Sequence, residues 1–515
     1  MKRSFADIVR EEAAENLRRL LLKLPEWADA ASSLKIPSRL NLEQCSSSAT
    51  AFYKAALAAR IMGRAVIEPV EMTKHLADSE HLRSEATKGV RGKCPPVINA
   101  VADLTAGLGA DCWAFAQVCG SVLYNEMNSE LAAAVESNFA ALGVQNVVFR
   151  NCEVAPGRVG EILGGFAPDL IFMDPARRGD CGQKVFRLED CQPNVLELKE
   201  ELLSLCPNLL LKLSPMADIT LLCRQLGPQV REVHCVGSGG ECKELLLWLQ
   251  RDWTEGVSIC VSGDLGSNIC LPEPGSDSAS KRLSTDFRPV LNFRPEEEAG
   301  AAVKFFTDGE ELAGTAGLLF EPSAVTMKAG CFRLLCQRFC LTKLGRSTQL
   351  YVLRESGGAL LGGCASESGT GAYDGSVVES GTEAYDESVT EVHDKSITEV
   401  HDKSGTEAYD GLRRLGKLFR IKRIVPFSGA AAAALGREFP CCEVSARNMP
   451  LSSDELRRKM KCKSGGSVHI FAAGVDFAGA AAGTVEGSAA DSAAGGIGRG
   501  AAPKSARYLF VTERV

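Results

Sequence analysis

The chain has no hydrophobic segment long enough to cross a membrane. A spanning helix needs roughly 18 or more consecutive apolar residues, and no run approaches that length although 45% of the 515 residues are hydrophobic. The first residues, MKRSFADIVREEAAENLRRL, place acids between apolar positions and predict an amphipathic helix rather than a signal peptide. We therefore expect a cytoplasmic protein with no membrane partner.

The sequence also lacks the cysteine spacing of a zinc site. It has 20 cysteines but no C-x-x-C pair, and the intervals between Cys331, Cys336 and Cys340 are poorly suited to a structural zinc. Most cysteines lie inside apolar runs, where a free thiol behaves as a small hydrophobic side chain. We predict buried free thiols, no disulfide framework and no metal.

Two nucleotide-binding signatures are missing as well. No segment reads G-x-x-x-x-G-K-[ST], which argues against a nucleoside triphosphate as ligand. The segment D-L-T-A-G-L-G at residues 103–109 has a glycine pair, but Cys112 occupies the last glycine position of the dinucleotide-binding pattern G-x-G-x-x-G. By itself the glycine turn is therefore a weak signal.

The chain does contain short apolar strands that alternate with helical stretches. Residues 1–93 predict a helical region, and residues 94–270 predict a parallel sheet with helices on both faces. The segments VREVHCV and ELLLWLQ, which are joined through glycines, predict an antiparallel pair that closes this sheet. The predicted strands before them are VADL (101–104), SVLYN (121–125), NVVF (146–149), DLIFM (169–173) and NLLLKL (208–213).

Two inserts interrupt the second half of the chain. An eight-residue unit recurs between residues 366 and 410 with twelve acids against two lysines, and it has too little apolar surface to fold. Without this segment the net charge changes from −7 to +3. We predict a linker and compact module (271–363), a disordered insert (364–411), and a final module (412–515) in which VHIF and RYLFVTERV form a hairpin around an Ala/Gly-rich insert (472–506).

Polar residues follow the first three strands at their carboxyl ends. The glycine turn presents backbone N–H groups at the start of a helix, where an anionic group binds. Glu126 ends the second strand, where an acid can accept both hydroxyls of a ribose, although a solvated strand end is the alternative. Glu153 follows the third strand, on the side where an adenine amino group would lie. The predicted residues of this adenosyl site are Asp103, Thr105, Gly107, Gly109, Glu126 and Glu153.

These segments resemble class I S-adenosylmethionine-dependent methyltransferases. The similarity rests on D-L-T-A-G-L-G, on Y-N-E-M-N, on N-x-x-x-L-G-V-x-N-V at residues 138–147 and on D-P-A-R at residues 174–177. Longer strings, among them LEQCSSSATAFYKA, LLLKLSPMADI, LLFEPSAVTMKAG and ARNMPLSSDELRRKMKCKSGG, are similar to a bacterial family that joins such a domain to a ferredoxin-like module and a C-terminal THUMP-like domain.

This resemblance implies the fold class and the cofactor. The fold is expected to be α/β, with a Rossmann-like methyltransferase sheet, an N-terminal helical region and C-terminal α+β modules of the ferredoxin-like and THUMP-like kinds. The closing antiparallel pair of strands is expected of this class. The implied cofactor is S-adenosyl-L-methionine, and the implied activity is the transfer of a methyl group.

The D-P-A-R segment at the tip of the fourth strand is similar to the [DN]-P-P-[YFW] motif of amino-methylating enzymes. There a carboxylate and a backbone carbonyl accept the two amine hydrogens, which aims the nitrogen lone pair at the methyl group. The resemblance implies that Asp174 and Pro175 have this role, and that Arg177 stacks its guanidinium on a base in place of the aromatic residue. An acid that only caps the next helix is the alternative for Asp174.

The same segment is similar to the D-P-P-R of uracil-C5 methyltransferases, which attack with a cysteine in an S-C-N-P stretch at the fifth strand. This chain lacks that cysteine, because the corresponding segment reads K-L-S-P from Lys212 to Pro215. Carbon methylation is therefore disfavoured. Lys212 and Ser214 either line the target pocket or cap the strand and the following helix, and the sequence leaves both readings open.

THUMP domains are RNA-binding modules, so the resemblance implies an RNA partner, either tRNA or rRNA. Basic residues on and after the last predicted helix would bind phosphates with little sequence selectivity. These residues are Arg447, Arg457, Arg458, Lys459 and Lys461. The leading hypothesis is an enzyme that methylates an exocyclic or ring nitrogen of a base in structured RNA. A protein or small-molecule methyltransferase and a catalytically inactive RNA-binding protein are the alternatives.

Overall fold

The computed structural model divides the chain into two compact units. The first unit is Met1–Pro295 with Ser323–Gly330, and the second is Glu296–Pro322 with Cys331–Val515. The described residues are 5–63, 99–177, 187–265, 289–356, 359–360, 409–478 and 505–515. Nearly all of the octapeptide insert and most of the Ala/Gly-rich insert lie outside them, so what was expected of those segments stays a prediction.

The described part of the N-terminal region is helical, as its periodicity predicts. Serines cap two of its helices, because Ser38 Oγ accepts the N–H of Asn41 and Ser47 Oγ accepts the N–H of Thr50. The third helix is buried along almost its whole length. The elements are α1 (Phe5–Lys23), a 3-10 helix (Pro25–Ser33), α2 (Arg39–Gln44) and α3 (Ser48–Ile61).

A nine-stranded sheet forms the centre of the first unit. Its elements in chain order are β1 (Ala100–Asp103), α4 (Ala110–Ala116), β2 (Ser121–Asn125), α5 (Ser129–Ala141), β3 (Val147–Arg150), α6 (Val159–Leu163), β4 (Leu170–Met173), α7 (Val195–Leu205), β7 (Asn208–Leu213), α8 (Ile219–Leu226), β8 (Val230–Ser238), β9 (Glu241–Gln250), β10 (Ser258–Asp264) and β11 (Leu291–Phe293), with β5 (Ala176–Arg177) and β6 (Cys191–Gln192) as a separate ribbon after β4.

The strand order of this sheet is β11-β10-β8-β9-β7-β4-β1-β2-β3. The strands β1, β2, β3, β4 and β7 are parallel, and β9 is antiparallel to both β7 and β8. The predicted parallel sheet with a closing antiparallel pair is therefore confirmed. The unit runs to Pro295, beyond the predicted end at residue 270, because β11 pairs with β10 and extends the sheet. The polar composition around this three-residue strand gave no sign of it.

The N-terminal helices share one hydrophobic core with the sheet. The ring of Trp27 meets Trp113 of α4 and Phe139 of α5 edge-on, with centroid distances of 6.0 and 6.5 Å. Phe52 of α3 packs on the same Trp113 ring at 5.5 Å. The helical region is therefore an integral layer of the first unit and not a separate appendage.

The second unit is built on another nine-stranded sheet. Its path is β12-β14-β15-β13-β17-β20-β19-β18, and β16 pairs with β15 beside that path. The strands are β12 (Lys304–Phe305), β13 (Gly317–Pro322), β14 (Thr342–Lys343), β15 (Tyr351–Ser356), β16 (Ala359–Leu360), β17 (Gly416–Pro426), β18 (Glu443–Arg447), β19 (Val468–Asp476) and β20 (Ser505–Arg514). The predicted hairpin is confirmed, since β19 and β20 pair antiparallel from Val468–Glu513 to Asp476–Ser505.

Short helices complete both units. The helices are α9 (Pro295–Gly300), α10 (Gly309–Ala313), α11 (Ala324–Ala329), α12 (Leu334–Arg338), α13 (Gly429–Glu438) and α14 (Ser453–Met460). Two separate apolar clusters, one of which includes α13 and α14, give the second unit its core. Helix α11 belongs to the first unit, where it packs against β8, β9 and β10.

The described cysteines agree with the predicted thiols except at one position. Fifteen of them are free and ten of these are buried. Cys340 is instead disulfide-bonded, so the expectation of a free thiol is wrong for this residue. Among the described helices none has the length and apolar character needed to span a bilayer. The cytoplasmic location stays a prediction.

Candidate active site

A cavity of about 760 Å³ lies at the carboxyl ends of the parallel strands in the first unit. Eight of the predicted site residues line it together: Asp103, Thr105, Gly107, Gly109, Glu126, Glu153, Asp174 and Pro175. Of Arg177 the structure describes the backbone, which pairs with Cys191 across the β5–β6 ribbon. The stacking expected of its guanidinium therefore stays a prediction.

The glycine turn between β1 and α4 depends on two positive backbone angles. Gly107 has φ +54°, and Gly109, which begins α4, has φ +83°. A Cβ atom at Gly109 would lie 2.9 Å from Val135 Cγ1 and 3.0 Å from the Phe139 ring, so only glycine lets α4 approach α5 this closely. Gly109 thus shapes the turn through packing, while Gly107 takes part in its hydrogen bonding.

Two backbone amides hold the carboxylate of Glu126 at the edge of the cavity. Its Oε2 accepts the N–H of Gly107 at 3.2 Å, and its Oε1 accepts the N–H of Asn128 at 2.8 Å. Each carboxylate oxygen keeps a further lone pair. The arrangement is therefore suited to accepting two neighbouring hydroxyl groups, as the spacing predicts for a ribose.

Asn125 connects three strand ends and was missed in the sequence. Its Nδ2 donates to the carbonyls of Leu104 and Cys152, both at 3.0 Å, and its Oδ1 accepts the N–H of Cys152 at 3.1 Å. The side chain is almost fully buried. The signal available was a polar amide inside an apolar strand, immediately before the predicted ribose-binding acid.

Asp103 presents an unsatisfied carboxylate oxygen. Its Oδ1 accepts the N–H of Thr105 at 3.2 Å, whereas its buried Oδ2 has no hydrogen-bond partner among the described residues. Burial raises the pKa of Asp103 well above its ordinary value. A cationic group in the cavity would satisfy this oxygen and offset the cost of burying the charge. The ammonium group of an amino-acid ligand fits this position.

Thr105 fixes the turn that carries Asp174. The backbone N–H of Asp174 donates to Thr105 Oγ1 at 2.6 Å. Thr105 thus links the end of β1 to the end of the neighbouring β4. It contributes to the candidate acceptor side of the cavity as well as to the predicted cofactor side.

Lys212 lines the cavity beside Asp174. Met173 of β4 pairs with Leu211 of β7, and this register places the next two residues side by side. Lys212 Nζ lies 2.5 Å from Asp174 Oδ2. Burial alone would lower the pKa of Lys212, but the nearby carboxylates of Asp174, Glu244 and Asp111 raise it above its ordinary value. Ser214 both lines the cavity and accepts the N–H of Met216, which stabilises the turn after β7.

A fully buried lysine anchors another wall of the cavity. Lys54 Nζ of α3 donates to Glu244 Oε1 at 2.7 Å and to Ser46 Oγ at 3.2 Å. It also lies 3.1 Å from Asp111 Oδ1, as an ion pair without hydrogen-bond geometry, while Ser46 Oγ donates to Asp111 Oδ2 at 2.8 Å. Ser46, Asp111 and Glu244 line the cavity. The N-terminal region therefore forms part of the site.

A second buried polar cluster lies outside the cavity lining. Glu232, His234 and Cys260 place ligand-type atoms within 4.8 Å of one another. Arg60 pairs with the Glu232 carboxylate, His234 Nε2 lies 2.8 Å from it, and the hydroxyl of Tyr53 lies 2.8 Å from His234 Nδ1. Burial raises the pKa of the Cys260 thiol, which disfavours the thiolate that binds metals. These hydrogen bonds account for the cluster, and the expectation of no metal stays a prediction.

The predicted RNA-binding residues lie in the second unit, on β18 and α14. Two of them are engaged in ion pairs: Arg447 with Glu321 at 2.6 Å, and Arg457 with Asp454 at 3.1 Å. Arg458, Lys459 and Lys461 are exposed. A capping box between Ser452 and Glu455 fixes the start of α14, and the three exposed side chains lie at its opposite, C-terminal end.

Comparisons with known proteins match two segments of the chain to family models. A family model for a ferredoxin-like domain matches residues 318–356, and a model described as THUMP domain-like matches residues 416–485. No curated protein sequence matches the chain.

Among solved structures, a candidate methyltransferase from Porphyromonas gingivalis W83 matches with a TM-score of 0.60 and 24% identity, covering 97% of this chain and 88% of that one. At this identity the likeness establishes the fold alone.

Smaller proteins match about a third of the chain with low scores. An rRNA methylase from Streptococcus thermophilus has a TM-score of 0.23 and 14% identity over 30% of this chain and 87% of that one. A SAM-dependent methyltransferase from Aquifex aeolicus has a TM-score of 0.22 and 18% identity over 29% and 82%. The predicted Rossmann-like α/β fold and the predicted ferredoxin-like and THUMP-like segments are confirmed.

Proposed function

We propose, from the premise that this chain joins a class I methyltransferase fold to ferredoxin-like and THUMP-like domains, that it transfers a methyl group from S-adenosyl-L-methionine to a nitrogen of a base in structured RNA. The single observation that carries the proposal is the cavity at adjoining strand ends, where Asp103, Glu126 and Asp174 meet. Parallel α/β sheets bind their ligands at this edge.

The cofactor half of the proposal uses the residues at the ends of β1 and β2. Asp103 Oδ2 would take the ammonium of the methionine part, and Glu126 would accept the ribose hydroxyls. The exposed side chain of Met127 lines the cavity next to Glu126 and offers an apolar surface for the adenine. When bound, the cofactor supplies an electrophilic methyl group. The cavity volume lies within the range of roughly 300–1,000 Å³ that small-molecule sites occupy.

The acceptor half rests on Asp174 at the tip of β4. Thr105 Oγ1 accepts the backbone N–H of Asp174 and Lys212 holds its carboxylate, so the position of the carboxylate is fixed before an acceptor binds. A fixed hydrogen-bond acceptor orients an incoming nitrogen and lowers the entropic cost of reaching the methyl group. The methylated atom is either an exocyclic or a ring nitrogen of the base.

The RNA half rests on the THUMP-like match and on the exposed basic end of α14. Phosphate contacts from lysine and arginine supply salt-dependent affinity for nucleic acids without strong sequence preference. The two alternatives remain a protein or small-molecule methyltransferase and an RNA-binding protein without activity.

One labelling experiment separates these functions. The full chain is incubated with methyl-tritiated S-adenosylmethionine and with the RNA, protein and small-molecule fractions of a strain from which its gene is deleted. We expect label in the RNA fraction that nuclease digestion releases. Label in protein or in small molecules instead would favour the second hypothesis, and calorimetry that detects RNA binding without cofactor binding would favour the third.

Charge reversal on α14 should weaken RNA binding and its dependence on salt. We expect Arg458→Glu together with Lys459→Glu to lower affinity about tenfold or more, and to reduce the slope of log K against log salt by about 1 to 2. The matched control reverses Lys304 and Arg338, which lie in the same unit outside the THUMP-like segment and change the net charge equally. Fluorescence anisotropy with labelled tRNA at several salt concentrations measures both quantities. Equal losses in the two double variants would contradict a specific RNA-binding role for α14.

A further inference from the structure

The pairing of Lys212 with Asp174 restricts what the carboxylate can do. Lys212 Nζ occupies Oδ2 at 2.5 Å, and Thr105 holds the backbone of the same residue. Oδ1 has no hydrogen-bond partner within the described part of the chain. The acid at the tip of β4 therefore has one oxygen that is held and one that remains available to a ligand.

The surroundings keep Lys212 protonated. Its side chain is 14% exposed. It faces more carboxylates than cations, so its positive charge is stabilised from several elements. The charged and titratable groups around the Asp174–Lys212 pair are Asp103 on β1, Asp111 on α4, Glu244 on β9, Lys54 on α3, Lys23 on α1 and Cys45 after α2. A protonated lysine only donates hydrogen bonds, so it cannot act as the base in this site.

We infer that Lys212 is a positioning residue that holds Asp174 as an ionised acceptor with one open oxygen, so that the methylated nitrogen must carry a hydrogen. This inference rests on the proposed function and narrows its substrate class. An ionised carboxylate accepts hydrogen bonds and donates none. An amino group or a ring N–H can therefore donate a hydrogen bond to Oδ1. A ring nitrogen with only a lone pair, such as N7 of guanine, would be repelled by this oxygen.

The transfer step balances with the groups present. The acceptor nitrogen forms the new N–C bond with its lone pair, the S–C bond breaks, and its electron pair stays on sulfur. The nitrogen then carries one proton too many. That proton passes to Asp174 Oδ1 and from there to water, which returns the carboxylate to its ionised form.

Variants at position 212 test the positioning role. In Lys212→Met the carboxylate loses the cation that holds its Oδ2 at 2.5 Å. We expect kcat to fall about tenfold or more, because Oδ1 is no longer held in place for the acceptor nitrogen. In Lys212→Arg the cation is kept, and kcat should recover most of this loss. The KM for S-adenosylmethionine should stay within about twofold in both.

Lys199→Met is the matched control, because Lys199 is also 14% exposed and ion-paired but lies on α7 away from the cavity lining. It should retain the kcat of the parent protein. If Lys212→Met keeps the parent kcat, or if arginine does not restore it, the positioning role is overturned.

Two further measurements separate this inference from the proposed function. A double-mutant cycle of Asp174→Asn and Lys212→Met on the urea midpoint should show a combined shift smaller than the sum of the single shifts; additive shifts would overturn the pairing even if no RNA is methylated. Mass spectrometry of the labelled nucleosides should find the methyl group on a nitrogen that carried a hydrogen. A methyl group on a nitrogen without hydrogen, or on carbon, would overturn the acceptor rule while leaving RNA methylation intact.

Discussion

Methyl transfer by the Asp174→Ala variant is expected to fall about a hundred- to a thousandfold, while affinity for S-adenosylmethionine changes less than about twofold. The carboxylate is proposed to orient the acceptor nitrogen, and loss of a positioned hydrogen-bonding group costs this much in comparable reactions. Cofactor binding should persist because Asp103 and Glu126, at the ends of β1 and β2, are untouched. Tritium transfer to RNA and calorimetry with the cofactor measure the two effects.

Asp169→Ala provides a control on the same strand. Asp169 lies at the opposite end of β4, where its Oδ2 accepts the N–H of Ala100 at 2.9 Å. This variant removes a carboxylate from the opposite edge of the sheet, away from the cavity, so it should keep most of the activity. An Asp174→Ala protein that still methylates RNA at the parent rate would remove Asp174 from the mechanism.

Replacement of Lys54 by methionine is expected to destabilise the first unit by about 3–5 kcal/mol, because it leaves two buried carboxylates without their cation. Lys54 is fully buried and contacts both Glu244 and Asp111. All four tryptophans lie in this unit, so their fluorescence during urea unfolding follows it selectively.

The stability lost in Lys54→Met should increase as pH rises. Burial raises the pKa of Glu244 above its ordinary value, although Lys54 and Lys212 oppose this shift in the intact protein. Without Lys54 the folded state binds a proton more readily than the unfolded state, so the stability of the variant falls as pH rises. We expect the difference in the free energy of unfolding between Lys54→Met and the parent protein to be smaller at pH 5 than at pH 8.

Two comparisons make this result decisive. Lys199→Met removes an ion pair with the exposed Glu200 and should cost no more than about 1 kcal/mol. Addition of Glu244→Gln to Lys54→Met should recover part of the lost stability, because it removes the charge of one of the two carboxylates that have lost their cation. A loss under about 1 kcal/mol for Lys54→Met would mean that water or rearrangement satisfies the two acids.

The sequence by itself determined most of the sheet of the first unit and the residues at the carboxyl edge of its parallel strands. Its seven predicted strands were located to within three residues, because alternation of apolar segments with turn residues is a local property of the chain, whereas β10 and β11 were not predicted. The glycine turn at residues 103–109 and the acids Glu126 and Asp174 could be found for the same reason. Each follows directly from its own strand, and parallel strands end at a common edge.

Only the tertiary structure decided which charges meet. Lys54 and Glu244 are 190 residues apart, and no local pattern connects a lysine on a buried helix with an acid on a late strand. The pairing of Lys212 with Asp174 depends on the register of β4 and β7, and the pairing of Arg447 with Glu321 spans 126 residues. The sequence shows which residues carry a charge. Their partners are set by long-range packing, because residues far apart in the chain come together only on folding.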